Sequence, residues 1–403
     1  MKKRVMLFIF LSIAFNSGLT AQITVSGILD SSVSLQAGAA DAPNFSFGIE
    51  EYANIRFQSK IRDRAAVYGA VNFIAAAGDY AANAQLLAAS SGSSISPTAF
   101  IYGENYIAAF ELERLYFRLN GESFDFDGGL LRLPFGYGQV WGSSDFLNPK
   151  NPLKPDARPR AVLGAGFFWY PKDDLKFLAF SAFGRNPFSH NGKGVFFGIS
   201  IDQHLDKASV QGLYSYETPA DNSSRGIHRI GMSVKADFEV GLVMDTLYTY
   251  NHEAETKFDG LSFSIGADYS FFDGNLIVLA EYLYNGETSS TAIRYGGSFS
   301  NNHYLYTGLT WLFSDFTNIS AALISGFNDI SFTPVISLNH DLFQGAVLSV
   351  TVQIPIDRDL FYKDGRRGEL GPLPPDELQP LLPVTGERLG HYFNCTAKLR
   401  LRF

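Results

Sequence analysis

Arg114, Tyr116 and Arg118 are spaced two apart, and so are Lys398, Arg400 and Arg402. That spacing puts side chains on one face of a strand, so each set is a short row of cations. Such a row does no covalent chemistry; it attracts anions. The ingredients of covalent or metal chemistry are scattered. The seven histidines at 190, 204, 228, 253, 303, 340 and 391 stand apart, with no His-Glu-x-x-His pair and no zinc spacing. The run Gly136-Tyr137-Gly138-Gln139 leads into Val140-Trp141 and lacks the third glycine of a dinucleotide-binding turn. Ser215, His228 and Asp268 would form a hydrolytic triad only if folding gathered them, and many other triples would serve as well. No catalytic residue, metal site or cofactor is expected, and the chain is not read as an enzyme.

The composition narrows the setting. Of 403 residues, 46% are apolar and 15% aromatic but only 18% charged, with a formal net charge of −8, which gives no pull toward nucleic acid. Lys2, Lys3 and Arg4 precede the apolar run Val5 to Phe15, and Gly18-Leu19-Thr20-Ala21 closes it; residues 1–21 therefore read as a secretory signal cleaved after Ala21. The apolar core is too short for a helical anchor, which needs about twenty residues. Cys395 is the only cysteine, so the exported chain must fold without an internal disulfide.

These cations must be positioned by strands. Segments of nine to fourteen residues alternate apolar with polar or small side chains; in the last, Phe393, Cys395, Ala397, Leu399, Leu401 and Phe403 share one face, and Asn394, Thr396, Lys398, Arg400 and Arg402 the other. Tight turns fall near 60–64, 120–123, 171–174, 203–207, 235–239, 272–275, 314–318 and 340–345. Longer connections fall near 37–44, 78–104, 134–160, 185–193, 218–224, 251–257, 285–301, 327–330 and 357–389. Short turns alternating with long loops predict a closed antiparallel transmembrane β-barrel over 22–403, of eighteen strands with sixteen as the alternative, its turns periplasmic and its loops extracellular. A soluble sandwich also alternates. Aromatic clusters beside the turns, at Phe167 to Tyr170, at Tyr269, Phe271 and Phe272, and at Trp311, Phe313 and Phe316, suit interface girdles and favour the barrel.

Parity then assigns faces. A charge facing lipid at the midplane costs about 2–4 kcal/mol, so Arg56, Lys60, Arg114, Tyr116, Arg118, Arg132, Arg229, Lys235, Lys398, Arg400 and Arg402 are expected to line the pore. Glu51, Glu111, Glu113, Asp245, Asp268 and Glu281 are the candidate interior acids. Either the cations create a field that favours anionic or polar solutes, or they are neutralised in salt bridges that stiffen the wall. The connection 134–160, with Trp141, Asp145, Lys150, Lys154, Asp156, Arg158 and Arg160 and four prolines, is the expected constriction loop; an extracellular flap is the alternative. The Pro-rich loop 357–389 reads as an extended surface segment, and Ala75 to Ala89 as a short helix within a loop.

Phe403, preceded by the alternating apolar residues back to Phe393, resembles the C-terminal signature of bacterial outer-membrane barrel proteins. That resemblance implies that Phe393, Leu399, Leu401 and Phe403 are read by the barrel assembly machinery during insertion into outer-membrane lipid. Leu131 to Pro152, LRLPFGYGQVWGSSDFLNPKNP, resembles a segment of substrate-specific and porin-like barrels in which an arginine-bearing strand runs into a Gly-rich, Trp-containing inward loop. The implied function is a passive channel for small polar or anionic solutes. A closed-lumen surface barrel whose loops bind host or matrix ligands is the other reading, and an oligomer is compatible with either.

Overall fold

A computed structural model describes residues 22–39, 43–61, 64–78, 98–103, 105–148, 150, 159, 161–183, 194–219, 226–250, 260–286, 302–328, 330–354, 356 and 392–403. Residues 1–21, the whole of loop 357–389, and Lys154, Asp156, Arg158 and Arg160 lie outside the described residues.

Among the described residues nineteen strands form one antiparallel sheet. They are β1 (Gln22–Ala39), β2 (Pro43–Ile61), β3 (Ala65–Gly78), β4 (Thr98–Gly103), β5 (Tyr106–Asn120), β6 (Phe124–Leu131), β7 (Val162–Lys172), β8 (Leu175–Phe183), β9 (Val195–His204), β10 (Ala208–Glu217), β11 (Ile227–Asp237), β12 (Gly241–Tyr250), β13 (Leu261–Phe271), β14 (Leu276–Asn285), β15 (His303–Ser314), β16 (Thr317–Gly326), β17 (Ser331–Phe343), β18 (Ala346–Gln353) and β19 (Tyr392–Arg402). The short β4 pairs with β5 alone, above the part of β5 that pairs with β6. The other eighteen close into a ring, because β3 pairs directly with β5 and β19 pairs with β1 from Ile28↔Arg402 to Gly38↔Tyr392. All eight predicted tight turns join neighbouring strands, and the eighteen-stranded count stands.

Closure is what allows a sheet to stand in hydrocarbon, where an unpaired backbone group costs several kcal/mol. The seam is fastened three times. Gly27 and Phe403 exchange backbone hydrogen bonds of 2.7 and 3.2 Å, the Phe403 ring lies where a Gly27 side chain would sit, and Arg400 grips Asp30 through Nε and Nη2 at 2.8 and 2.7 Å. Arg400→Met is expected to cost about 2 kcal/mol, the scale of a hydrogen-bonded charge left without its partner. A drop in the temperature at which detergent-solubilised protein loses its strand circular dichroism checks this.

The outer face is apolar. Val25, Leu29, Val33, Phe197, Ile199, Ile201, Ile230, Met232, Ile265, Ile336 and Leu338 are all exposed, at positions of one parity on their strands. Phe167, Trp169, Phe271, Phe272, Trp311, Phe313 and Phe316 are exposed at the short-turn end. Of the expected girdle, Phe168 and Tyr170 instead face inward: Phe168 packs on the interior apolar cluster, and the Tyr170 hydroxyl reaches Asp125. They have the opposite parity to Phe167 and Trp169, so one strand cannot place all four in lipid.

Three further expectations need correction. The 37–44 loop is largely paired strand, with β1 and β2 in register as far as Ala39↔Pro43. Ala75 to Gly78 completes β3 against β2 rather than opening a helix. Glu51 is exposed on the outer face, where it accepts a 2.6 Å hydrogen bond from Ser31; its parity on β2 is opposite to that of the inward Arg56.

Candidate functional site: a loop seated in the lumen

The chain leaves β6 at Leu131 and re-enters the sheet at Val162. Of the stretch between them, residues 132–148 run inside the barrel and bind the wall formed by β10 to β15. Six consecutive backbone N–H groups, from Gly136 to Trp141, are accepted by three wall side chains on alternate strands. Gln211 on β10 takes Gly136 at 2.7 Å. Asp245 on β12 takes Tyr137 and Gly138 at 2.9 and 2.8 Å. Glu281 on β14 takes Gln139, Val140 and Trp141 at 3.0, 2.9 and 3.1 Å. A loop in this position has no strand partner for its backbone, and the inward carboxylates replace one.

Glycines make the approach possible. Gly136 has φ of 82°, in the left-handed region, and an added Cβ would collide with the Ser144 hydroxyl and the Asp245 carboxylate. Gly136→Val is therefore expected to unseat the loop. Faster cleavage within 132–150 by an added protease, with the strand spectrum unchanged, would show it.

Apolar packing completes the seat. Leu131, Leu133, Phe135 and Leu147 pack against the inward Leu178, Phe180, Ala182, Phe196, Leu213 and Leu247. Trp141 joins Leu283, Tyr304 and Ile324, its ring 5.5 Å from that of Tyr304 and its Nε1 donating to the Glu281 carbonyl at 3.0 Å. A buried side chain of this size contributes about 1.5–3 kcal/mol. Arg229, 1% exposed, lies 5.1 Å from the Phe146 and Phe196 rings and pairs with Glu217 at 2.7 Å. It joins loop to wall by a cation–π contact.

Three of the expected constriction residues hold the loop together rather than face the passage. Trp141 turns to the wall. Asp145, 3% exposed, accepts the Asn148 N–H at 3.0 Å, and burial holds its carboxyl well above the usual aspartate range. Lys150 donates its Nζ to the Gly138 carbonyl. Pro134 and Gln139 are exposed, and the half-buried Tyr137 brings its hydroxyl to 3.4 Å from Asp202 on β9. Burial, with Asp202 beside it, pushes the Tyr137 hydroxyl up to about 12, so it remains a donor.

Across the bore, the β19–β6 arc carries the cations. The inward parity of Asn394 to Arg402, through Gln36 to Asn54, Arg56 and Lys60, follows from the registers. At its centre two guanidiniums converge on one carboxylate and a third is linked to it through Asn54. Arg132 reaches Glu113 at 2.8 Å, Arg114 lies 3.5 Å from the same oxygen, and Arg56 donates to Asn54 at 2.7 Å, whose amide donates to Glu113. A register shift in β5 beside Ala70 makes this cluster, because the bulge turns both Glu113 and Arg114 inward. The Nε atoms of Arg114 and Arg132 are buried without hydrogen-bond partners. Glu111 lies one step along β5, held by Asn72 at 2.9 Å. Arg118 is bound by both oxygens of Asp127 at 2.7 Å, and Tyr116 stacks on Tyr68 at 4.9 Å. Lys235 faces Asp237 at 3.1 Å.

The ion pairs thus run along the wall between adjacent strands. Arg118–Asp127 joins β5 to β6, Lys176–Asp202 β8 to β9, Arg229–Glu217 β10 to β11, and Arg400–Asp30 β19 to β1. None of these bridges the bore. Asp268, as expected, is inward, receiving the Gln139 amide at 2.9 Å. Ser215 and His228 face opposite sides of the sheet, so the hydrolytic triple is not assembled. Among the described residues no helix is long and apolar enough to cross a membrane and no acidic, His or Cys group suits a metal ion.

Solved barrels share this architecture. Acinetobacter baumannii OccAB1 superposes with a TM-score of 0.56 at 10% identity, covering 96% of this chain and 99% of that one. Pseudomonas aeruginosa OpdQ gives 0.55 at 11% identity over 94% and 97% of the two chains, and P. aeruginosa OccK2 (OpdF), solved in complex with glucuronate, 0.53 at 8% over 95% and 98%. The chain has the fold of the porin-like outer-membrane barrels. No protein-family model and no curated protein matches its sequence, so the likeness is one of fold.

Proposed function

We propose that the protein is a passive outer-membrane channel for small polar solutes, with a preference for anions such as carboxylates. The observation that carries this reading is the position of the loop. Residues 136–141 are drawn onto the acidic β10–β14 wall, and their N–H groups use up Asp245 and Glu281, whereas Arg114 and Arg132 share Glu113 on the other side and Arg56 is linked to it through Asn54. A solute passing beside the loop therefore meets a face on which guanidiniums outnumber the carboxylate they share, in a narrow site where screening is weaker than in bulk water. The glucuronate bound by the OccK2 barrel is a solute of this class. In the same reading, residues 1–21 direct export and are removed, outer-membrane lipid covers the apolar outer face, and Phe393, Leu399, Leu401 and Phe403 serve the assembly machinery. The outward Phe403 at the β1–β19 seam is in keeping with that role.

A closed surface barrel is less well supported, since its salt bridges would have to fill the bore. Liposome swelling separates the two. Vesicles carrying the protein are expected to swell faster in isosmotic gluconate than in a cationic amino sugar of the same size; no swelling in either would reject a channel.

A further inference from the structure

The outer face carries one arrangement twice that neither the channel nor the seam uses. On β10, Tyr214 and Tyr216 point outward, and His228 on β11 stands opposite Tyr216. On β14, Tyr282 and Tyr284 do the same, with His303 on β15 opposite Tyr284. In both, the tyrosine hydroxyl one step down the strand meets the histidine Nδ1, at 2.9 Å for Tyr214–His228 and 2.6 Å for Tyr282–His303. In both, the tyrosine directly opposite packs its ring on the imidazole, at 4.9 Å for Tyr216 and 5.3 Å for Tyr284. Each histidine lies at the start of a strand that follows a long loop, so both stand at the long-loop rim of the apolar outer face, four strands apart.

We propose that each pair seats the terminal phosphate monoester of an outer-leaflet lipid headgroup. With Nδ1 engaged by a hydroxyl, Nε2 has no partner among the described residues and is the histidine atom left for an outside group. When the neutral ring accepts the tyrosine proton at Nδ1, Nε2 carries the hydrogen and is a donor. When the ring is protonated it donates at both nitrogens, and the tyrosine hydroxyl is released to donate as well. In either state the pair presents donors to its surroundings, which suits an acceptor that is always ionised. Tyr250 on β12 is the other titratable side chain opposite His228, and no carboxylate of the described residues shares that outward face with either histidine. At this depth the anions in reach are lipid phosphates. The proposal depends on the barrel standing in a membrane, not on what crosses its lumen.

Native mass spectrometry of the whole barrel, exchanged from detergent with phosphatidic acid or phosphatidylcholine, tests it. The unmodified protein is expected to retain phosphatidic acid about fivefold over phosphatidylcholine, the scale of one hydrogen bond to an anion. The double variant His228→Phe/His303→Phe keeps the rings, removes the donors and should abolish the preference while conductance is unchanged. Tyr214→Phe/Tyr282→Phe, which removes only two hydroxyls, should weaken it. Equal retention of both lipids by the unmodified protein, or a preference that survives in both double variants, would overturn the proposal. So would displacement of bound phosphatidic acid by excess inorganic phosphate, which would mark a free-anion site.

Discussion

Replacing Asp245 and Glu281 together with alanine is expected to raise single-channel conductance about two- to threefold and to make the current noisy. Five of the six backbone N–H groups between Gly136 and Trp141 are accepted by these two carboxylates. Each would be left unsatisfied in the seated loop at about 1–3 kcal/mol. That sum exceeds what the Trp141 packing alone holds, about 1.5–3 kcal/mol for a large buried side chain. The loop is then expected to leave the wall and recover its hydrogen bonds from water, widening the passage. Glu281→Gln is a milder control, since the amide keeps one acceptor oxygen and should preserve part of the seat. Unchanged conductance in the double alanine variant would mean that the loop does not set the width.

Neutralising Arg56, Arg114 and Arg132 to glutamine is expected to lower the anion-to-cation permeability ratio about fivefold or more, read from the reversal potential across a salt gradient. Two unit charges 4 Å apart in surroundings of intermediate dielectric interact by about 4 kcal/mol, so removing three cations beside one permeant ion is a large perturbation even after screening. Glu113 would then have lost the guanidiniums of Arg114 and Arg132 and turn the site toward cations. Arg118→Gln alone should act differently. Its guanidinium is held by both Asp127 oxygens, so its loss frees one carboxylate instead of removing an unbalanced positive charge.

The barrel was legible in the sequence because lipid and water impose a period of two on every crossing, and because tight turns declare themselves through Gly, Asn and Asp. The same parity is the ground for reading the cations as inward, whereas the acids are only candidates in the sequence, of which Asp245 and Glu281 hold the loop and Glu51 stands outside. The place where the loop docks was less visible, but it left a mark. On β8 and β9 both faces are apolar: Phe177, Leu178, Ala179 and Phe180 run together, as do Val195, Phe196 and Phe197. Where alternation fails inside a barrel, the inner face has something apolar to pack against, and here that is Leu133, Phe135 and Phe146. Asp145 and Trp141 belong to the loop that the sequence marks as the constriction, but the sequence does not say which way either side chain turns. Which side of an irregular loop a residue faces depends on contacts far away in the chain, with no local period to reveal it. The bulge that turns Glu113 inward beside Arg114 is likewise a property of the pairing of β5 with β3.

Reconstitution of the unmodified protein in a planar bilayer under a potassium chloride gradient tests the open, anion-favouring passage most directly. Discrete ohmic steps with a reversal potential on the chloride side are expected. A silent bilayer containing correctly folded barrel, or a reversal potential on the potassium side, would contradict it.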